Sequence, residues 1–162
     1  MLTVQFDLRD EESIASLVAR TSDRFGRLDG VANVAAVGAD LMARDQGVDT
    51  MDPGVWAEMV RINVTGAGLM IRESLTALVA SGGGTIVNAS SLAAWQPESV
   101  PAAYASSKIA LHALTRRTAQ AWGQKHPGRR RRPRGRPHAE VPMPPLRLGT
   151  ALWMPPRYAA IR

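Results

Sequence analysis

The stretch Gly84-Thr85-Ile86-Val87-Asn88-Ala89-Ser90-Ser91 decides how this chain is read. A glycine opens it, β-branched residues fill it and two serines close it, which is the pattern of a short strand ending in hydroxyls. Thirteen residues after Ser91, Tyr104 and Lys108 stand four apart in a run over about 102–122 that reads as a helix, with Leu111 and Leu114 on one side. Residues four apart project from the same helix face. An ammonium beside a phenol favours the phenolate, which makes a tyrosine usable as a general acid or base. Taken singly, both signals are ordinary: a surface tyrosine near a solvated lysine, or serines in a loop. Together they describe a strand and the following helix of an open parallel sheet, where ligands bind at the carboxyl ends of strands.

Working upstream, Asp52-Pro53 reads as a helix start, because proline at the first helical position has no N–H to leave unsatisfied. Trp56, Val60, Ala67, Met70, Ser74 and Leu78 trace one face of that helix down to the break at Gly82-Gly83-Gly84. Asn63 interrupts the apolar stripe. A buried amide costs free energy unless bonded, so Asn63 is either a satisfied core side chain or the anchor of a water in a proton path. Val31 to Val34 reads as a buried strand after the turn at Asp29-Gly30, and Asn33 falls near its carboxyl end among small residues that suit a flat ligand. Asn33 read alone is a turn residue. Before it, Asp10 looks like an N-cap with Glu11 and Glu12 in the first turn. Ile14, Leu17, Val18, Thr21 and Phe25 follow at helical spacing until Gly26. Leu2 to Phe6 reads as a first short strand.

Composition divides the chain. Residues 1–123 hold ten basic and thirteen acidic residues, a net −3, whereas residues 124–162 hold ten basic residues and only Glu140, a net +9. Three prolines fall in the first part and eight in the second. Arg129 to Arg136 carries six arginines in eight residues, and Pro142, Pro144, Pro145, Pro155 and Pro156 forbid long regular elements. The expectation is one α/β domain over 1–123 and a basic, disordered Pro/Arg-rich tail over 124–162. The chain has 162 residues and no cysteine, so a disulfide scaffold and a thiolate metal site are excluded and a reducing, cytoplasmic setting is expected. No apolar run approaches the roughly 20 residues of a membrane span, and no metal-ligand cluster stands out. Clustered arginines attract phosphates without reading sequence; no aromatic residue interleaves them, so no specific nucleic-acid partner is expected.

These features resemble the short-chain dehydrogenase/reductase family. Asn63, Ser91, Tyr104 and Lys108 match its catalytic Asn-Ser-Tyr-Lys tetrad in order and spacing. Asp7-Leu8 resembles the acidic pair beside the adenine of its cofactor. Leu28 to Ala36 resembles the stretch leading into its Asn-Asn-Ala-Gly motif, with Asn33 and Ala35 matching and Val34 and Ala36 departing. The resemblance implies a Rossmann-like, doubly wound parallel sheet, here incomplete. It also implies hydride transfer between NAD or NADP and a small-molecule alcohol or ketone. Tyr104 would be the acid/base, Lys108 would lower its pKa and hold the nicotinamide ribose, Ser91 would orient the substrate oxygen and Asn63 would hold a relay water. Asp7, Leu8, Asn33, Ala35, Tyr104 and Lys108 would line the cofactor. Self-association through helices at about 55–78 and 102–122 is implied as well. Trp95 and Gln96 are the only hints of a substrate pocket.

Two departures from the family pattern bear on function. The chain has no Gly-x-x-x-Gly-x-Gly turn to hold a pyrophosphate, and in the 3-2-1-4-5-6 strand order two strands would lie between Leu2–Phe6 and the strand at Val31. The alternative expectation is therefore a catalytically inactive fragment. At the other end, codons for His126-Pro127-Gly128-Arg129 read one base later permit Ile-Arg-Val. The continued shift permits Ile-Arg-Val-x-Ala-Val-Ala-Pro-Gly-x-Val-x-Thr, the family pattern for that region. Residues from about 126 onward are accordingly read as an out-of-frame tail.

Overall fold

A computed structural model of the chain describes residues 1–95, 101–123 and 147–151. The arginine run and Gln96 lie outside the described residues, and of the stretch read as out of frame only 147–151 is described.

Helix α1 (Glu11–Phe25) begins where local chemistry says it should. The Asp10 side chain accepts from the N–H of Glu12, Glu11 and Glu12 occupy the first turn, and Gly26 closes the helix with a left-handed φ of 72°. Strand β1 (Gly30–Asn33) follows, then a short helix α2 (Ala39–Arg44) and a 3-10 turn at Val48–Thr50, neither of which the sequence pattern announces. The Asp52-Pro53 signal starts α3 (Pro53–Val60), whose first N–H groups bond to the Asp52 carboxylate. Helix α3 runs through a π-helical segment at Arg61–Gly66 into α4 (Ala67–Ala80). Strand β2 (Thr85–Ala89) is the predicted strand, and α5 (Ala102–Gly123) is the predicted Tyr-Lys helix.

Strands β1 and β2 pair in parallel, Val31 opposite Ile86 and Asn33 opposite Asn88. Their shared face meets the helices: Ile86 packs with Ile71, Leu75 and Leu78 of α4, and Leu28, Val31, Leu114 and Trp122 close around them. A second cluster joins Ile14 and Val18 of α1 to Met70 of α4, and a third joins Val37, Met59 and Ala103. Along β2, Ile86 and Asn88 are buried against the helices, while Thr85, Val87 and Ala89 alternate to the other face and are half-buried.

Two expectations are corrected. Leu2 to Phe6 forms no strand. Leu2, Val4 and Phe6 are half-buried and Met1, Thr3 and Gln5 exposed, the alternation of a strand, but among the described residues no neighbour pairs with it. A strand needs a ladder partner for its backbone groups. The expectation of disorder throughout 124–162 also gives way at one place: Arg147–Ala151 forms β3, parallel to β2, with Thr85 opposite Arg147 and Ala89 opposite Ala151. The far edge of β2 presents a row of backbone donors and acceptors, and an added strand satisfies them.

Candidate active site

The site gathers at the carboxyl end of β2, where α5 crosses it. Lys108 is 3% exposed, and its Nζ donates to the carbonyl of Ala89, the last residue of β2, at 3.1 Å. That Nζ lies 5.7 Å from the centroid of the Tyr104 ring. The i, i+4 spacing thus delivers the phenol and the ammonium to the same place. Burial pulls the Lys108 ammonium below the ordinary lysine range, since desolvation disfavours the charged form.

The two serines divide. Ser91 Oγ accepts from the N–H of Ala93 and caps the 3-10 turn Leu92–Ala94. Ser90 turns inward, its Oγ 2.6 Å from His112 Nε2 and 3.3 Å from the carbonyl of Lys108. The end of β2 is therefore stitched to α5 at three points, by Lys108 Nζ, the Lys108 carbonyl and His112.

Asn63 lies inside the π-helical segment and is 3% exposed. Its Oδ1 accepts from the N–H of Val37 at 3.0 Å, and its Nδ2 donates to Ser107 Oγ at 2.9 Å and approaches Met59 Sδ at 3.4 Å. Ser107 Oγ in turn donates to the Tyr104 carbonyl at 2.8 Å. The carboxamide is thus bonded at both ends, and its bonds tie the β1–α2 loop, α3 and α5 together beside Tyr104. A π-helical turn at this place widens the helix and re-aims its side chains, a device concentrated at functional sites.

Asn33 donates to Asn88 Oδ1 at 2.8 Å, Asn88 donates to Thr115 Oγ1 at 2.8 Å, and Thr115 donates to the Leu111 carbonyl at 2.7 Å. This chain of hydrogen bonds, running from the half-buried Asn33 to the buried Asn88 and Thr115, fixes the Asn33 carboxamide across β1, β2 and α5. Asp7 and Leu8 line a groove of about 650 Å³ together with Ser13, Ala35, Val37 and Ile62. The Arg9 guanidinium grips the Asp7 carboxylate and holds its pKa down to about 2. Leu8 is locked against the π-helical segment: a Cβ on Gly66 would lie 2.8 Å from the Leu8 carbonyl oxygen, so the close approach needs glycine there. The structure therefore joins Asn63, Tyr104 and Lys108 in one cluster, with Ser91 at the end of the strand that Lys108 holds. Asp7, Leu8 and Ala35 line the separate groove.

Several positions escaped the sequence reading. Ser107, Asn88 and Thr115 carry bonds that orient Asn63 and Asn33, and the buried polar residues on otherwise apolar element faces were a signal for them. Asp45 had no sequence signal. It is 7% exposed, and its carboxylate holds the N–H groups of Ala103 and Tyr104 from 58 and 59 residues away.

Comparison with known proteins identifies the family. The short chain dehydrogenase family profile matches residues 1–126, and the chain belongs to that family. It is 34% identical over 124 residues to the short chain dehydrogenase ausX of Aspergillus calidoustus, a match covering 76% of this chain and 46% of that protein. It is 30% identical over 118 residues to the cis-4-hydroxycyclohexanecarboxylate dehydrogenase of Sinomonas cyclohexanicum, covering 73% of this chain and 46% of the relative. Among solved structures, the carveol dehydrogenase of Mycobacterium avium in complex with NAD superposes with a TM-score of 0.69 at 29% identity, over 76% of this chain and 43% of that one. The chain thus spans less than half the length of these relatives.

Proposed function

We propose that residues 1–123 carry the catalytic face of an NAD(P)-dependent oxidoreductase interconverting a small-molecule alcohol and ketone. The observation that carries this reading is the buried Lys108 ammonium set 5.7 Å from the Tyr104 ring and pinned to the end of β2. In this reading the Tyr104 hydroxyl gives its proton to a substrate carbonyl, or its phenolate takes one from an alcohol, and the Lys108 charge favours the phenolate. Ser91 Oγ, at the strand end, orients the substrate oxygen. Asn63 contributes position, since its carboxamide is committed to Val37 and Ser107. A nicotinamide, when bound, supplies or accepts the hydride.

The residues present fit the two ends of such a dinucleotide. Asp7, an anion held by Arg9, and Leu8 and Ala35 would border the adenosine end; Asn33, Tyr104 and Lys108 would border the nicotinamide end. The middle is not provided for. A diphosphate binds at backbone N–H groups of a glycine-rich helix start. Among the described residues the glycine turn at Gly82-Gly83-Gly84 lies at the amino end of β2, away from the site. This supports a second reading, that the chain by itself is catalytically inactive. Titration with NADH and NADPH at fixed salt, followed by nicotinamide fluorescence, tests both. No saturable binding up to millimolar cofactor, in a folded sample, is the expected result. Saturable binding would overturn the second reading, and its persistence in Lys108→Ala would overturn the first.

The face of α5 bearing Ile109, Ala110 and Ala113, with Trp95 beside it, supports self-association through helices 55–78 and 102–122, because Ile109 and Trp95 are 40% and 59% exposed. A monodisperse monomer in sedimentation contradicts this. The end of the family match at residue 126 supports the out-of-frame reading of the tail, which resequencing of the gene decides. The cysteine-free composition supports a reducing, cytoplasmic setting.

A further inference from the structure

Helix α5 starts at a residue that has no capping side chain to offer. The Ala105 N–H bonds to the Pro101 carbonyl at 3.1 Å, so Pro101 occupies the N-cap position. An N-cap normally lends a side-chain oxygen to the second or third N–H of the helix, and the proline ring has none. The N–H groups such a cap would take are those of Ala103 and Tyr104, and the second of these belongs to the residue on which the site depends.

Asp45 supplies both missing bonds. Its Oδ1 accepts from the Ala103 N–H at 3.2 Å and its Oδ2 from the Tyr104 N–H at 2.8 Å, while its own N–H is held by the Met42 carbonyl at the end of α2. The carboxylate is buried, yet no cation approaches it among the described residues, because its neighbour Arg44 turns to Asp52 instead. A buried charge without a partner is costly. Here the positive end of the α5 dipole and two N–H donors compensate it. Lys108 is anchored separately, one turn further on, through Ala89. The register between the phenol and the ammonium therefore depends on the first turn of α5 staying wound, and that turn is held from outside.

We propose that Asp45 is the positioning residue for Tyr104, a remote N-cap that fixes the phenol over Lys108. This deepens the reading of Tyr104 as acid/base and rests on it. Its test reads geometry and requires neither cofactor nor turnover, so it fails or stands apart from the cofactor titration.

The chain has two tyrosines, Tyr104 and Tyr158. In a Tyr158→Phe background, ring-labelled tyrosine gives a single NMR signal, that of Tyr104. Asp45→Ala is expected to shift and broaden this signal and to lower the exchange protection of the Ala103 and Tyr104 amides by about tenfold, the size of a lost cap. Asp45→Asn keeps one carbonyl oxygen and should restore part of both. Asp10→Ala removes the local cap of α1 and serves as the control: it should lower the unfolding midpoint and leave the Tyr104 signal in place. If Asp45→Ala does not fold, the same two readouts are taken on Asp45→Asn. An unmoved ring signal in the folded Asp45 variant, or an equal shift in Asp10→Ala, would overturn the assignment and leave Asp45 an ordinary stabilising residue.

Discussion

The two sides of β1 are finished to different degrees. On the β2 side, polar groups, most of them buried, are paired: the half-buried Asn33 with Asn88, Asn88 with Thr115, Asn63 with Val37 and Ser107, Lys108 with Ala89. On the other side lies a cavity of about 260 Å³, lined by Phe6, Leu8, Leu17, Val31, Met70 and Ser74 among others, between β1 and the unpaired N-terminal segment. The Ser74 hydroxyl faces this region fully buried and, among the described residues, without a hydrogen-bond partner. Val34 is 68% exposed. The candidate site thus stands on the side of β1 whose polar groups are paired, and the cavity lies on the other side.

Removing a buried polar side chain should have opposite consequences on the two sides. Asn63→Ala strands the Val37 N–H and takes a partner from Ser107 in a closed environment. It should destabilise the chain by about 2–3 kcal/mol, the cost of unsatisfied buried groups together with the space left behind. Urea unfolding reads this directly, and a loss well under 1 kcal/mol would mean that water reaches the cluster and the two sides are alike.

Ser74→Ala is the mirror experiment and the smaller effect. The hydroxyl is desolvated and bonds to nothing described, so the change should stabilise the chain by up to about 1 kcal/mol. A destabilisation of similar size would show that Ser74 Oγ has a partner, a water or a chain segment, in the cavity beside β1.

What the sequence disclosed follows the same division. Asp10, Asp52-Pro53 and the Gly84–Ser91 stretch act through neighbours one to four residues away, so their helices and strand were legible to within a residue or two. Tyr104 and Lys108 were legible for the same reason, sharing one helix face. Asn63 announced itself as an anomaly, but its partners Val37 and Ser107 lie 26 and 44 residues off, and nothing local chose between its two readings. Asp45 was silent because a cap supplied from another element leaves no local pattern. Leu2 to Phe6 has the alternation of a strand, but pairing belongs to two strands, and period alone does not supply the second. The β3 pairing was hidden in the same way, in a tail whose composition argued against any regular element.

The smallest expected effect concerns the charge at the centre of the finished side. Burial lowers the Lys108 pKa below the ordinary 10.5. Between the folded value and 10.5 the unfolded chain therefore binds the proton more strongly, and stability rises as pH climbs through that window. Below the folded value the ammonium is buried at full cost, relieved only in part by the Ala89 carbonyl. In Lys108→Met that cost is absent at every pH. The difference in unfolding free energy between the two chains should therefore move in favour of the wild type as pH is raised from 7 toward 10.5, with the other titrating groups cancelling. Parallel curves would mean that the ammonium is solvated after all. A sloping difference would mean that a cation is held at the end of β2 with only a carbonyl to balance it, a deficit that a phenolate at Tyr104 would fill.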